Sequence, residues 1–295
     1  SEGLVAAGNI FMGMTESPVL IKNYLPTMNR SEIFLVMVSG MGTIAGSVMG
    51  TYIGMLGGTD PAAKGLFATH LLSASVMAVP GSIVLAKMLC PQTEEATDHV
   101  AISGKEKENS NILDAISSGT VTGVKLMTNI AAMLLVFISL VALANYITEG
   151  VIGRYTGLND WIVKITDGKA QGLTFQFILG VITSPFMWLI GVPSQDIMLV
   201  GSLLGQKTIL NEFVAYFQLQ QWKDAGLFMY EKSILMSTYI LCGFANISSI
   251  GILLGGLGVL APEKRGLISR IGVPAMIGGA LVSVLSATII GMILG

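Results

Sequence analysis

Apolar runs about as long as a bilayer is thick recur throughout this sequence. The hydrocarbon core of a bilayer measures about 30 Å, which an α-helix of about 20 residues crosses. Runs near that length cover residues 34–57, 66–89, 128–147, 174–192, 233–260 and 271–294. Only 12% of the residues are charged, against roughly 25% in a typical soluble domain. The sequence therefore predicts an all-α polytopic integral membrane protein.

The charge balance of the chain argues against a nucleic-acid partner. Lys and Arg number 16 and Asp and Glu number 18, so the formal net charge is -2. A protein that binds a polyanion needs a basic surface, and the sequence offers none. Cys90 and Cys242 are too few for a disulfide framework and are interpreted as small apolar residues.

Local signals predict where several elements begin and bend. The sequence Asn29 to Glu32 is a helix start signal before the run 34–57. Pro80 and Gly81 predict a kink in the run 66–89. Residues 91–111 form a polar loop outside the membrane, and residues 111–127 suggest an interfacial helix that leads into the run 128–147.

Two regions do not read as ordinary spans. Residues 8–26 (GNIFMGMTESPVLIKNYLP) and residues 187–219 contain apolar pieces too short to cross a bilayer, interrupted by Gly, Pro, acids and amides. Such pieces are typical of re-entrant hairpins. Each region precedes a span with a centre of small residues, at 40–50 and 242–256.

The order of hairpin, Glu and broken span therefore occurs twice. We interpret residues 1–147 as a first repeat that contains part of hairpin 1. Residues 148–295 form a second repeat, with hairpin 2 at about 174–219. Paired interrupted segments in two halves of a chain point to a transporter that holds its substrate near the midplane.

Broken helices leave backbone groups without partners, and membranes tolerate this only where a ligand, an ion or water satisfies them. Oxygen atoms of Asn9, Thr15 and Thr43 suit Na+. The side chains of Glu16, Glu212, Asn246 and Ser249 offer donors and acceptors for a polyhydroxylated or heterocyclic solute. Intramembrane carboxylates are rare and usually functional, whereas a single Ser or Thr more often bonds to its own helix.

Two other classes of membrane protein fit this sequence less well. An intramembrane hydrolase needs a Ser/His pair, paired Asp residues or an HExxH motif within spans, and the sequence has none of these. His70 lies in a span without a second metal ligand at the right spacing, so we expect no metal centre there and no enzyme cofactor. A passive channel would repeat the same filter residues rather than present two different hairpins.

The motifs themselves resemble a known family. GNIFMGMTESPVLIKNYLP, GTIAGSV, GVPSQDIMLVGSLLGQKTILNEFVAY and CGFANISSIGI are similar to segments of the concentrative nucleoside transporters, over the whole chain. The resemblance implies Na+-coupled, or in some members H+-coupled, nucleoside symport by a homotrimer in the plasma membrane, or in the bacterial inner membrane for a prokaryotic protein. It also implies about three spans and a hairpin arm before residue 1.

The resemblance further implies roles for individual residues. Residues implied to bind the nucleoside base are Gly13, Met14, Thr15, Glu16 and Val48. Residues implied to bind the ribose are Glu212, Asn246 and Ser249, with Phe244 nearby. Residues implied to bind Na+ are Asn9, Thr15 and Thr43 through their side chains, and Met12 and Ile44 through their carbonyls. Many relatives carry Gln where this chain has Met14, which favours purine nucleosides because a thioether cannot read a polar base edge.

Overall fold

The computed structural model of the protein describes residues 2–94, 111–166, 168 and 170–295. The described part consists of helices joined by turns and irregular segments and contains no strand, and most of the predicted loop 91–111 lies outside it. The α-helices are α1 Glu2–Gly8, α2 Arg30–Gly42, α3 Gly46–Gly57, α4 Pro61–Leu89, α5 Ile112–Asn145, α6 Arg154–Thr156, α7 Leu158–Ile165, α8 Phe175–Leu189, α9 Ile197–Ile209, α10 Glu212–Asp224, α11 Glu231–Leu241, α12 Ile247–Leu260 and α13 Arg265–Ile293.

Three helical segments are long and apolar enough to cross a membrane among the described residues. They are Arg30–Gly57, which includes the interruption between α2 and α3, Pro61–Leu89, and Pro262–Ile293. Their length and composition agree with the predicted polytopic membrane protein. The chain is an all-α membrane protein of several apolar helices.

The first broken span forms where the sequence predicts it. Asn29 accepts a hydrogen bond from the Glu32 backbone N–H, and the Glu32 side chain accepts one from the Asn29 N–H. This capping box satisfies two donors at the start of α2. Helical structure then stops at Thr43 and resumes at Gly46, inside the predicted soft centre at 40–50.

Other boundaries differ from the predictions. The helix predicted over 66–89 begins at Pro61, because Asp60 accepts hydrogen bonds from Ala62 and Ala63 and caps it. It continues through Pro80, and a kink there stays a prediction. Residues 112–127, expected to form an interfacial helix that leads into the run 128–147, continue into that run as the single helix α5, which contains no proline. The interfacial position stays a prediction.

The region predicted as hairpin 2 contains three helices. α8 has 15 residues, or about 22 Å of helix, so the predicted span at 174–192 is too short to cross a bilayer. α9 packs on α8 through glycines; a Cβ added at Gly180 would lie 2.8 Å from the Met198 carbonyl oxygen. α9 and α10 pack together and join at Leu210 and Asn211. From here on, the name hairpin 2 is narrowed from the predicted 174–219 to α9, this turn and α10. The name hairpin 1 is used for residues 2–28. The re-entrant course of both hairpins stays a prediction.

The helices form two compact units, which are residues 1–100 with 176–295 and residues 101–175, as far as they are described. In the smaller unit, α5 continues into a π-helix, Tyr146–Gly153. The Asn159 amide connects this unit internally, because it donates to the Glu149 carbonyl and accepts from the Leu173 N–H.

The larger unit is built around α13, which packs against α2, α4, α11 and α12. Glycine on α13 allows this close approach, since a Cβ added at Gly279 would lie 2.7 Å from the Met41 Cβ. The chain runs hairpin, half-helix, half-helix and long helix twice, ending first at α4 and then at α13. The division into repeats at 1–147 and 148–295 stays a prediction.

Candidate functional site

Two helix breaks meet inside the larger unit. The first separates α2 from α3 at Thr43, and the second separates α11 from α12 between Cys242 and Asn246. The Phe244 N–H donates to the Thr43 carbonyl oxygen over 3.2 Å, so each break satisfies a backbone group of the other. The Gly46 N–H donates to the Phe11 carbonyl of hairpin 1 over 2.9 Å. The backbone groups freed by the breaks are thus partly paired within the protein.

A glycine makes the contact between the breaks possible. A Cβ added at Gly243 would lie 2.9 Å from the Met41 carbonyl oxygen and 2.9 Å from the Ser283 Oγ. Gly243 also has a φ of 154°. Any side chain at this position would push the two breaks apart.

Three predicted ribose-binding residues come together at the second break. Glu212 is 8% exposed, Asn246 2% and Ser249 1%. The Asn246 Nδ2 donates to the Glu212 Oε2 over 2.9 Å. The Asn246 Oδ1 accepts from the Ser249 N–H over 2.9 Å and from its hydroxyl over 3.1 Å. We call Glu212, Asn246 and Ser249 the clamp.

Helix starts position the clamp. Glu212 is the first residue of α10, where Asn211 caps the helix by accepting from the Val214 N–H. Asn246 is the N-cap of α12. The first turn of a helix favours negative charge and presents free N–H groups. A carboxylate and amide held there can bind neighbouring hydroxyl groups of a polar solute.

Sequence reasoning missed one member of this cluster, Tyr52. Its hydroxyl donates to the Glu212 Oε1 over 3.4 Å, and its ring stacks on Tyr216 with centroids 4.1 Å apart. The signal was present, because a buried tyrosine hydroxyl in an apolar span needs a hydrogen-bond partner. The partner is 160 positions away, which the sequence does not reveal.

A second polar cluster lies at the first break and contains only neutral side chains. The Asn9 Nδ2 donates to the Ser39 Oγ over 3.0 Å, and the Ser17 hydroxyl donates to the Asn9 Oδ1 over 2.5 Å. The Thr43 hydroxyl donates to the Ser39 carbonyl over 3.0 Å. Asn9, Ser17, Ser39 and Thr43 are at most 2% exposed. We call these four residues the oxygen cluster.

The chemistry of the oxygen cluster fits a monovalent cation. Among the described residues, no three His, Cys, Asp or Glu side chains converge on a metal site, so a cation here would meet neutral oxygens. Asn9 and Thr43 were predicted from the sequence, whereas Ser17 and Ser39 were missed. Ile44 lies in the break with its side chain fully buried, and Met12 lies in the loop of hairpin 1.

The predicted base-binding residues of hairpin 1 have unlike surroundings. Met14 is 7% exposed and packs against α2, where a Cβ added at Gly40 would lie 2.9 Å from the Met14 Cβ. Glu16 is exposed, and its carboxylate covers Gly13, which is buried and has no room for a side chain. Glu16 therefore differs from the buried Glu212.

The remaining predicted residues, Thr15, Val48 and Phe244, contact different parts of the larger unit. Thr15 faces α12, since its Cγ2 is 3.4 Å from the place of a Cβ at Gly256. Val48 packs against the core cluster that contains Tyr52 and Tyr216. Phe244 is partly buried and packs against both core clusters of the larger unit.

Known proteins resemble this chain over nearly its whole length. A family model described as Na+ dependent nucleoside transporter C-terminus matches residues 70–291. An uncharacterized transporter of Haemophilus influenzae is 39% identical over 298 residues, which cover 100% of this chain and 66% of that protein. Sodium/nucleoside cotransporter 1 of Rattus norvegicus is 38% identical, covering 99% of this chain and 44% of that protein.

Solved structures show the same arrangement of helices. An inward-facing, substrate-bound structure of CNTnw matches with a TM-score of 0.84 at 36% identity, covering 99% of this chain and 64% of that chain. An outward-facing CNTnw variant matches with a TM-score of 0.86 at 36% identity, covering 99% of this chain and 65% of that chain. The family is one of transporters, not enzymes. The chain belongs to the Na+-dependent nucleoside transporter family.

Proposed function

We propose that the protein carries nucleosides across a membrane by Na+-coupled symport and alternating access. The relatives named as sodium/nucleoside cotransporters support this proposal. The observation that carries it is the hydrogen bond from the Phe244 N–H to the Thr43 carbonyl. This bond joins the break that holds the oxygen cluster to the break that holds the clamp.

The clamp is proposed to bind the ribose. A ribose presents neighbouring hydroxyl groups. The Glu212 carboxylate can accept hydrogen bonds from them, and the Asn246 amide can both accept hydrogen bonds from them and donate hydrogen bonds to them. These groups are buried, so a hydroxyl that replaces their present partners is bound with little competition from water. Thr15 and Glu16 on hairpin 1, together with Val48 and Phe244, are proposed to face the base.

The oxygen cluster is proposed to bind Na+. The side chains of Asn9, Thr15 and Thr43 and the carbonyls of Met12 and Ile44 would supply its ligands. Ser17 and Ser39 form hydrogen bonds with the Asn9 amide in this structure, and their hydroxyl oxygens could also coordinate the ion.

Thr43 provides the coupling between ion and nucleoside. Its hydroxyl belongs to the oxygen cluster, while its carbonyl accepts from Phe244, two residues before Asn246 of the clamp. An ion that fixes the Thr43 backbone would also fix the start of α12. Each ligand would then raise the affinity for the other.

Three further parts of the proposal follow the family resemblance. The protein is proposed to act as a homotrimer. Its location is proposed to be the plasma membrane, or the inner membrane of a bacterium. A preference for purine nucleosides is the third part, and it depends on Met14 facing the base.

Uptake into proteoliposomes tests the proposal. Full-length protein is reconstituted and given radiolabelled uridine or adenosine with a Na+ gradient, a proton gradient or no gradient. Na+-driven accumulation above equilibrium is the expected result. Accumulation driven by protons alone would indicate an H+ symporter. Equilibration of the nucleoside across the membrane that does not depend on either gradient would indicate a channel. Chemical conversion of the nucleoside would indicate an enzyme.

A further inference from the structure

A fully buried lysine lies beside the second break. Lys207 belongs to the last turn of α9 and has 0% exposure. Among the described residues, no carboxylate lies within 4.0 Å of its Nζ. The ammonium donates instead to the Ile240 carbonyl over 2.8 Å and to the Ser283 Oγ over 3.0 Å. Glu212 acts on this ammonium only from beyond ion-pair distance. Burial of an ammonium without a direct ion pair is costly, so the hydrogen bonds to Ile240 and Ser283 must compensate much of that cost.

The partners of Lys207 belong to the end of α11. Ile240 lies in the last turn of this helix, and Cys242 is its C-cap. The Ser283 hydroxyl, which accepts from Lys207, donates to the Cys242 carbonyl over 3.0 Å. The last carbonyls of a helix lack partners within the helix and carry partial negative charge. The ammonium is therefore held where a half-helix inside the protein favours a cation.

The first break presents a similar helix end without such a lysine. α2 ends at Gly42 with Thr43 as its C-cap, and the side chains that meet this end in the oxygen cluster are neutral. The two helix ends also approach each other, since Phe244 bonds to Thr43 and Gly243 lies against the Met41 carbonyl. Two partially negative helix ends at close range repel unless cations neutralise them. The structure supplies one such cation through hairpin 2.

We propose that the Lys207 ammonium is a tethered cation, which does permanently at the second break what an exchangeable Na+ does at the first. This inference rests on the proposed function, because it takes the oxygen cluster as the Na+ site. Lys207 would act as a positioning residue, holding the end of α11 beside the clamp. Because this cation cannot leave, one Na+ would move with each nucleoside.

Four variants of the full-length protein test the tethered cation. Lys207→Ala removes the charge and opens space, Lys207→Met removes the charge and fills the space, and Lys207→Arg keeps the charge. The matched control is Lys223→Met. Lys223 also donates to a carbonyl near a helix end, that of Leu56 over 2.6 Å, but its side chain is 24% exposed.

Nucleoside binding by purified protein is measured over a range of Na+ concentrations. We expect a Hill coefficient for Na+ of about 1 in wild type and about 2 in Lys207→Ala, where a second Na+ enters. Lys207→Met should keep a coefficient of about 1 but bind nucleoside at least about tenfold more weakly. Lys207→Arg should stay closer to wild type than Lys207→Met does, and Lys223→Met should match wild type. A purely structural lysine would not change the number of Na+ ions bound.

Several results would overturn the inference. One is a Hill coefficient for Na+ that stays at about 1 in folded Lys207→Ala, whether or not nucleoside affinity falls. If the neutral Lys207 variants do not fold, the test is the number of elementary charges moved per nucleoside by the wild-type protein in liposomes. One charge per nucleoside supports the tethered cation, and two charges overturn it. Wild-type binding that ignores Na+ would contradict the proposed function, and the inference with it.

Discussion

The two helix breaks share a backbone arrangement but differ in the side chains that meet them. At the first break, between α2 and α3, the oxygen cluster of Asn9, Ser17, Ser39 and Thr43 is buried and neutral. At the second, between α11 and α12, the buried Glu212 and Lys207 bring ionisable side chains. One architecture therefore presents two kinds of binding chemistry.

This difference follows from what each ligand needs. A sodium ion brings its own charge, so neutral oxygens can satisfy it without a countercharge. A nucleoside sugar is neutral and offers hydroxyl groups, so a charged acceptor strengthens its hydrogen bonds. The breaks are joined at Thr43 and Phe244, which lets the two chemistries act together.

The largest effect is expected at the clamp. Glu212→Gln replaces one acceptor oxygen by an NH2 group, which cannot accept from Asn246 or from a ribose hydroxyl. An unsatisfied buried partner costs about 1–3 kcal/mol. We therefore expect nucleoside affinity, measured by isothermal titration calorimetry, to fall at least about tenfold.

The matched control for this change is Glu16→Gln on hairpin 1. Glu16 is exposed, so water can satisfy the new amide and the loss should be smaller. Equal losses in both variants would remove the distinction between the two carboxylates. Wild-type affinity in Glu212→Gln would show that the clamp does not bind the ribose.

The next effect concerns the oxygen cluster. Asn9→Ala and Thr43→Val each remove one proposed ligand oxygen of Na+. We expect the Na+ concentration for half-maximal uptake to rise severalfold, while uptake at saturating Na+ is largely kept. Uptake into proteoliposomes at graded Na+ measures this shift.

Thr288→Val is the control for Thr43→Val. Both hydroxyls bond to the carbonyl four residues earlier in their helix, but only Thr43 lies at a break. A shift in Thr288→Val as large as that in Thr43→Val would mean that any back-bonded threonine matters equally. Unchanged Na+ dependence in both Asn9→Ala and Thr43→Val would point to coupling by protons.

A smaller effect is expected for Tyr52→Phe. The change deletes the hydroxyl that donates to Glu212 over 3.4 Å and keeps the ring that stacks on Tyr216. A hydrogen bond of this length is weak, although its acceptor is charged. We expect nucleoside affinity to fall about two- to fivefold, or about 0.4–1 kcal/mol.

The control is Tyr216→Phe, whose hydroxyl donates to the Thr238 carbonyl rather than to the clamp. This variant should lose stability but keep nucleoside affinity. A larger loss of affinity in Tyr216→Phe than in Tyr52→Phe would indicate that aromatic packing, not the hydrogen bond, positions Glu212.

The smallest effect on selectivity is expected at Met14. From the sequence, Met14→Gln should shift preference from purine toward pyrimidine nucleosides, because the amide can read a base edge. If Met14 instead only packs against Gly40, uptake of adenosine and uridine should fall alike. The ratio of the two uptake rates at equal concentration separates the two outcomes, and an unchanged ratio would contradict the proposed purine preference.

The sequence predicted residues whose chemistry is unusual for a membrane. Glu212 stood out as an intramembrane carboxylate, and Asn246 stood out at a break rich in small residues. The structure brings both together. Asn29 and Glu32 predicted the start of α2, because capping is a local interaction between near neighbours.

Long-range partners could not be predicted in the same way. The sequence analysis did not single out Lys207, because its contacts with Ile240 and Ser283 depend on how α9, α11 and α13 pack. Residues 112–127 run into 128–145 as one continuous helix, and their interfacial position stays a prediction because it depends on the membrane rather than on the helix itself. The start of α4 was placed late, since the cap of Asp60 lies outside the apolar run.

The central claim is that the two breaks bind Na+ and nucleoside separately and communicate through Thr43. The mutual linkage of the two ligands tests this claim most directly. Nucleoside affinity of the purified full-length protein is measured with and without saturating Na+, and Na+ affinity with and without saturating nucleoside. The account predicts that each ligand raises the affinity for the other by one common factor. Nucleoside affinity that does not change with Na+ would contradict it.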